Sequence, residues 1–228
     1  MKSEYLLFNA LVFLPVFVIK NIFFKIKLKE NHKFLKAIII TALIFIIKDI
    51  LSTNFFWYFN KKYTLGINFF NLPVEEVMFF FTVPYSTLFV YQIINYYIKD
   101  KNIEIGTRKI LVGLILSLIG GVILLLAGKF YTGYILVFFA ISLFLVRDSF
   151  TKNRIIFYLS IFLLTLFFNS YLTSRPVVIY NQNYILGLRL FSVPVEDFFY
   201  SLSLFNLLIF FVKEKTQLRR DKIHFYPT

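Results

Sequence analysis

YTLGINFFNLPVEE at residues 63–76 returns as YILGLRLFSVPVED at residues 184–197. The shift of 121 residues preserves Tyr63/Tyr184, Leu65/Leu186, Gly66/Gly187, Phe70/Phe191, Pro73/Pro194, Val74/Val195 and Glu75/Glu196. Glu76 becomes Asp197 and Leu72 becomes Val193, so charge and shape persist where identity does not. Such a match marks an internal duplication. The chain therefore reads as two related halves, each carrying a proline followed by two acids.

What surrounds the copies is apolar. Of the 228 residues 59% are hydrophobic and only 16% charged, far from the soluble average. Seven runs, at about 5–24, 35–53, 74–98, 108–127, 131–147, 154–173 and 195–212, have roughly the 17–25 residues needed to cross a bilayer core. In hydrocarbon the backbone must satisfy its own polar groups, and the alternation of a barrel strand is missing, so the runs predict helices. The first run has no small-residue cleavage site after it and is expected to stay as a helix.

The net charge of +13 does not describe a nucleic-acid-binding face, because the basic residues sit in short clusters between the apolar runs. Alternate connections and the tail carry eighteen Lys and Arg, and the opposite side carries seven, Lys48 among them. The bias predicts a multi-pass protein of the inner (cytoplasmic) membrane with its N-terminus outside and its C-terminus cytoplasmic. Both motif-bearing connections then open on the outer side.

The shift maps the first three helices onto the last three and leaves residues 108–127 as a connector. An all-α membrane fold follows: two parallel three-helix repeats, within 1–107 and 128–228, joined by a fourth helix and related by a pseudo-two-fold axis along the membrane normal. The glycines Gly113, Gly120 and Gly121 of the connector suit close helix packing.

Pro73 and Pro194 stand where helices begin and are expected at the first helical position. The acids after them fall in the first turn. Ordinary complementation of the helix dipole asks for one such acid; two in each half, at the edge of a membrane span, point to chemistry. Packing about the axis would bring Glu75, Glu76, Glu196 and Asp197 together, where like charges cannot all ionise and a proton donor can sit beside an acceptor. At helical spacing from the acids lie Phe79 and Phe80 in one half and Phe199 and Tyr200 in the other. Trp57, in an aromatic-rich connection, is expected in a membrane-interface belt or as a cap over the site.

The sequence has no cysteine, so thiolate and disulfide chemistry are excluded, and His32 and His224 stand apart in basic segments without a ligand cluster. No GxGxxG or GxxxxGK[ST] pattern encodes a dinucleotide or P-loop site, and no paired DxxxD encodes magnesium-diphosphate binding. Acids with aromatics, and neither cofactor nor metal, predict acid–base work on an apolar molecule through a cation held by ring faces. A membrane carrier or receptor for a lipophilic ligand, using the acids as a proton relay, is the alternative of another class.

The twice-repeated PVE[ED] at the head of a membrane helix, in a seven-span chain of two halves, resembles the integral-membrane lycopene cyclases. In that family two small subunits of a bacterial heterodimer correspond to the halves of a fused protein. The resemblance implies ring closure of a linear carotene end group without net redox change and without a cofactor, on lycopene or a related carotene in the bilayer, with possible association with other carotenoid enzymes. It places the family's acids on Glu75, Glu76, Glu196 and Asp197. Glu75 and Glu196, the strictly duplicated pair, are assigned donor and base, and Glu76 and Asp197 orientation. The halves differ at Lys48-Asp49, which aligns with Asn169-Ser170, and that asymmetry suggests that one half supplies more of the chemistry.

Overall fold

A computed structural model describes residues 3–23, 28–98, 107–147 and 151–213. The basic residues Lys25, Lys27, Lys99 and Lys101, the tail beyond 213 and His224 lie outside them. Helices dominate: α1 Glu4–Phe23, α2 Leu28–Ser52, α3 Val74–Tyr97, α4 Thr107–Leu126, α5 Phe130–Leu145, α6 Lys152–Ser174 and α7 Val195–Lys213. Their bounds follow the apolar runs except for α2. It starts seven residues before the expected 35, because Lys29, Glu30 and Lys33 are good helix formers whose charge keeps the segment out of an apolar run.

Four of the helices, at Val74–Tyr97, Arg108–Leu126, Lys152–Ser174 and Val195–Val212, are long and apolar enough to cross a membrane. α5 is apolar but only 16 residues long. α3 and α7 form the centre: α1 packs on α3, α5 packs on α7, and α2 and α6 each touch both. The core between them is built from Phe45, Phe80, Phe157, Leu204, Phe205 and Leu208.

α4 packs on α5 through glycine. A Cβ on Gly121 would lie 2.9 Å from the Gly133 carbonyl oxygen, and one on Gly133 would lie 2.7 Å from that of Gly121. Only hydrogen at both positions allows the backbones to approach this closely.

Short strands occur in the two long connections, which sequence reading treats as aromatic loops. β1 Trp57–Phe59 pairs antiparallel with β4 Val178–Tyr180, in the register Trp57↔Tyr180, Tyr58↔Ile179, Phe59↔Val178. Each connection then folds its own small hairpin, β2 Asn68–Phe69 with β3 Leu72–Pro73 in one and β5 Arg189–Leu190 with β6 Val193–Pro194 in the other. Gly66 and Gly187 take φ of +84° and +85°, a region that glycine enters without strain.

Pro73 and Pro194 are not the first helical residues. Each closes its hairpin in extended conformation, with φ −57° and ψ 144° at Pro73, and the helix begins one residue later at Val74 or Val195. Val74 N–H donates to Ile67 O at 2.9 Å and Val195 N–H to Leu188 O at 3.1 Å, which fixes the corner in both halves.

The same end of the bundle gathers every such corner. Tyr5 N–H donates to Tyr63 O at 3.1 Å, as Tyr131 N–H does to Tyr184 O at 3.0 Å. Arg175 and Glu4 form an ion pair at 2.8 Å, which ties the end of α6 to the start of α1.

Candidate active site

Adjacent acids in a first helical turn point about 100° apart, and the four motif acids divide accordingly. Glu75 and Glu196 turn back onto their own connections. Glu75 Oε1 accepts the Leu65 N–H at 2.6 Å, and Glu196 Oε1 accepts the Leu186 N–H at 2.8 Å and the Thr132 hydroxyl. Both carboxyls are fully buried, and neither lines the cavity described next.

Glu76 and Asp197 turn inward. They face a cavity of about 400 Å³, within the usual range for a small-molecule pocket. Its polar end is formed by Glu76, Asp197 and a third acid, Asp49 of α2; Phe8, Val12, Val83, Leu164 and Phe205 make part of its apolar wall.

Each inward acid has designated donors. The Tyr5 hydroxyl donates to Glu76. Asp197 accepts the Tyr180 hydroxyl at 2.6 Å and the Asn169 amide at 3.0 Å. Tyr180, in the connection outside the helices, has its phenol held well above the ordinary tyrosine range, first by burial and then by the nearby charge of Asp197; it therefore remains a hydroxyl donor. Asp49 is bonded to the Lys48 ammonium at 2.8 Å and accepts the Tyr200 hydroxyl at 3.0 and 3.1 Å.

Lys48, which the charge count places among the residues of the outer surface, is buried here. Its ammonium lies 3.9 Å from the centre of the Tyr200 ring, with Trp57 at 5.4 Å and Phe45 at 5.5 Å. Burial of that charge depends on Asp49 and on the ring faces.

Of the aromatic residues singled out in the sequence, Phe79, Tyr200 and Trp57 line the cavity. Trp57 is 4% exposed, so it caps the site and is not a belt residue; Tyr58 beside it is 50% exposed. Phe80 and Phe199 stand outside the lining. Phe80 packs on Phe45 in the core with ring centres 5.9 Å apart, and Phe199 packs on Phe139 at 5.3 Å.

Tyr5, Asp49, Tyr131, Asn169 and Tyr180 also line the cavity, and sequence reading did not place them there. The Lys48-Asp49 pair inside an apolar run was the available signal, since ionisable residues within a span mark function. Among the described residues no group of three or more His, Cys, Asp or Glu side chains is placed to hold a metal ion.

A helical protein of membrane type, with an internal repeat whose halves each contribute an acid to one aromatic-lined cavity, is the class these features define. The lycopene cyclase family model matches residues 2–94 and matches again at residues 109–214. The chain belongs to the lycopene cyclase family, which places it in carotenoid biosynthesis. No curated protein and no solved structure matches it.

Proposed function

We propose that this chain is a carotenoid end-group cyclase that closes an ionone-type ring on lycopene or a related linear carotene by acid–base catalysis through a carbocation. The observation that carries this reading is the pairing of Glu76 and Asp197, from equivalent positions of the two halves, on one cavity walled by Phe79, Trp57 and Tyr200.

The roles of the acids follow the cavity and not the strict duplication. The assignment of donor and base to Glu75 and Glu196 does not fit side chains that turn away from the cavity onto backbone N–H groups; their role is to clamp the connections. Glu76 is the acid and Asp197 the base. The carboxyl proton of Glu76 passes to the terminal alkene, whose π pair forms the new C–H bond and leaves a tertiary cation. The neighbouring alkene supplies its π pair to close the ring C–C bond, and Asp197 takes a ring proton, so that the C–H pair becomes the ring double bond. One proton enters and one leaves, with no net redox change. The ring faces stabilise the cation, and proton transfer by a positioned acid contributes about 100-fold or more.

The same reading takes all seven helices as crossings, arranged as two parallel repeats within 1–107 and 128–228 about the connecting helix of 108–127. It places the N-terminus outside and the C-terminus in the cytoplasm of the inner membrane, with the substrate entering from the bilayer and with contacts to other carotenoid enzymes.

The test is expression in a lycopene-accumulating bacterial host followed by pigment chromatography. Because both halves lie in one chain, a cyclised carotene is expected with no partner subunit. Unchanged lycopene in cells that contain the folded protein would remove the cyclase reading.

A further inference from the structure

Asp49 has no counterpart in the other half. Its aligned position is Ser170, and the aligned position of Lys48 is Asn169. Asp49 nevertheless lines the same cavity as Glu76. Two carboxyl groups that share one enclosed cavity do not both ionise readily, since each charge disfavours the other and one group keeps its proton.

Which one carries it is decided by the other partners. Asp49 receives the Lys48 ammonium at 2.8 Å and the Tyr200 hydroxyl at 3.0 and 3.1 Å, all donors and one of them charged. Among the described residues the side-chain hydrogen-bond donor to Glu76 is the neutral Tyr5 hydroxyl. Donors and a cation favour the ionised form of the group that they touch, so the negative charge rests on Asp49.

We propose that Asp49, held as a carboxylate by Lys48 and Tyr200, is the positioning residue that keeps the proton on Glu76 and so makes Glu76 the acid of the cyclase. This rests on the acid–base reading of the site and deepens it by adding a third carboxyl from α2. Charges balance: Lys48 and Asp49 cancel, Glu76 is neutral, and Asp197, with two donors of its own, is the single uncompensated carboxylate facing the substrate cation. Proton delivery leaves Glu76 as a carboxylate. The proton that Asp197 gains from the ring returns to Glu76 across the shared cavity before the next cycle. Because the second half has Asn169 and Ser170 in these places, protonation is confined to the Glu76 side.

The experiment uses the full chain in lipid nanodiscs, with lycopene as substrate. The infrared difference spectrum of wild type minus Glu76→Gln is expected to show the carbonyl band of a protonated carboxylic acid, and Asp49→Asn is expected to lose that band although Glu76 is present. In Asp49→Asn the amide can donate to Glu76, and Lys48, deprived of its partner, turns its charge on Glu76. Turnover should fall about 100-fold with little change in KM, while Asp49→Glu recovers part of it. A wild-type minus Glu76→Gln spectrum without the band overturns the proposal even if Asp49→Asn does not fold, as does an Asp49→Asn variant that keeps both band and turnover. If Glu76→Gln and Asp197→Asn both cyclise lycopene at the wild-type rate, the acid–base reading itself falls; if those two fail while Asp49→Asn works, only the role of Asp49 falls.

Discussion

Tyr58 in β1 lies directly opposite Ile179 in β4, its own counterpart 121 residues later in the chain. An antiparallel pair centred on equivalent residues is what a two-fold rotation between two halves generates. The flanking bonds obey it too: Asn60 N–H donates to Val177 O at 2.9 Å and Asn181 N–H to Phe56 O at 2.8 Å, one from each half to the other. Asn60 and Asn181 are again equivalent positions. The two-stranded ladder joins the halves, and its pair Trp57 and Tyr180 both line the cavity.

The ladder gives a direct test of the parallel arrangement. Directly opposite residues of an antiparallel pair have Cα atoms about 4.5–5.5 Å apart, a span that a disulfide bridges. The chain has no native cysteine, so a Tyr58→Cys, Ile179→Cys double variant can form no other disulfide within one chain. Oxidation in membranes is expected to give an intramolecular cross-link, seen as a reducible mobility shift at the monomer position. Single-cysteine variants should show none, and a double variant that stays reduced would argue against the paired connections.

What the sequence made legible is tied to residues with few substitutes. Gly66 and Gly187 hold a positive φ, and Pro73 and Pro194 close the same corner, so the duplication survives there. The helices were legible because apolar runs of membrane length leave the backbone no other structure. The division of labour between Glu75 and Glu76 was not, since one residue along a helix rotates a side chain by about 100° and neighbouring helices decide which direction is the cavity. Phe80 and Phe199 miss the lining for the same reason. Asp49 was visible as an acid in an apolar run, but its place beside Glu76 depends on how α2 packs against α3, which no spacing within the motif encodes.

Orientation is testable from outside the bundle. The eighteen-to-seven asymmetry of Lys and Arg includes one buried residue on each side, Arg154 among the eighteen and Lys48 among the seven. With one taken from each side the count is seventeen to six, and the bias persists. Phosphatase and fluorescent-protein fusions at Thr228 are expected to report a cytoplasmic C-terminus; phosphatase activity with a dark fluorescent protein would reverse the topology.

The contact between α4 and α5 predicts a stability effect separate from chemistry. In Gly121→Val a Cβ would meet the Gly133 carbonyl oxygen at 2.9 Å and the Val137 N at 3.1 Å, both backbone atoms that cannot swing aside. Overpacking of this kind costs about 1–3 kcal/mol. A lowered melting temperature in detergent is expected, with turnover per folded molecule retained because Gly121 does not line the cavity. An unchanged melting temperature would show that the two helices are free to move apart.

The sharpest contrast lies within the motif. Glu75→Gln and Glu196→Gln keep an oxygen that can accept the Leu65 or Leu186 N–H, now at 2.6 and 2.8 Å, and place the new NH2 where Oε2 lies buried without a hydrogen-bond partner among the described residues. Both variants are expected to fold and to retain much of their activity. Glu75→Ala removes the acceptor of the Leu65 N–H and Glu196→Ala that of the Thr132 hydroxyl, while the Leu186 N–H keeps Thr132 Oγ1 at 2.8 Å; each lost hydrogen bond to a carboxylate costs about 1.5–3 kcal/mol, and both variants are expected to lower the melting temperature. Glu76→Gln and Asp197→Asn, in contrast, preserve size and hydrogen bonding at the cavity wall but can neither deliver a proton to an alkene nor take one from a ring cation. Each should lower turnover about 100-fold or more, which in a pigment assay reads as near-complete loss with normal protein in the membrane. If loss of cyclisation instead follows Glu75→Gln and Glu196→Gln while Glu76→Gln and Asp197→Asn remain active, the chemistry belongs to the strictly duplicated pair and the inward-facing acids only shape the pocket.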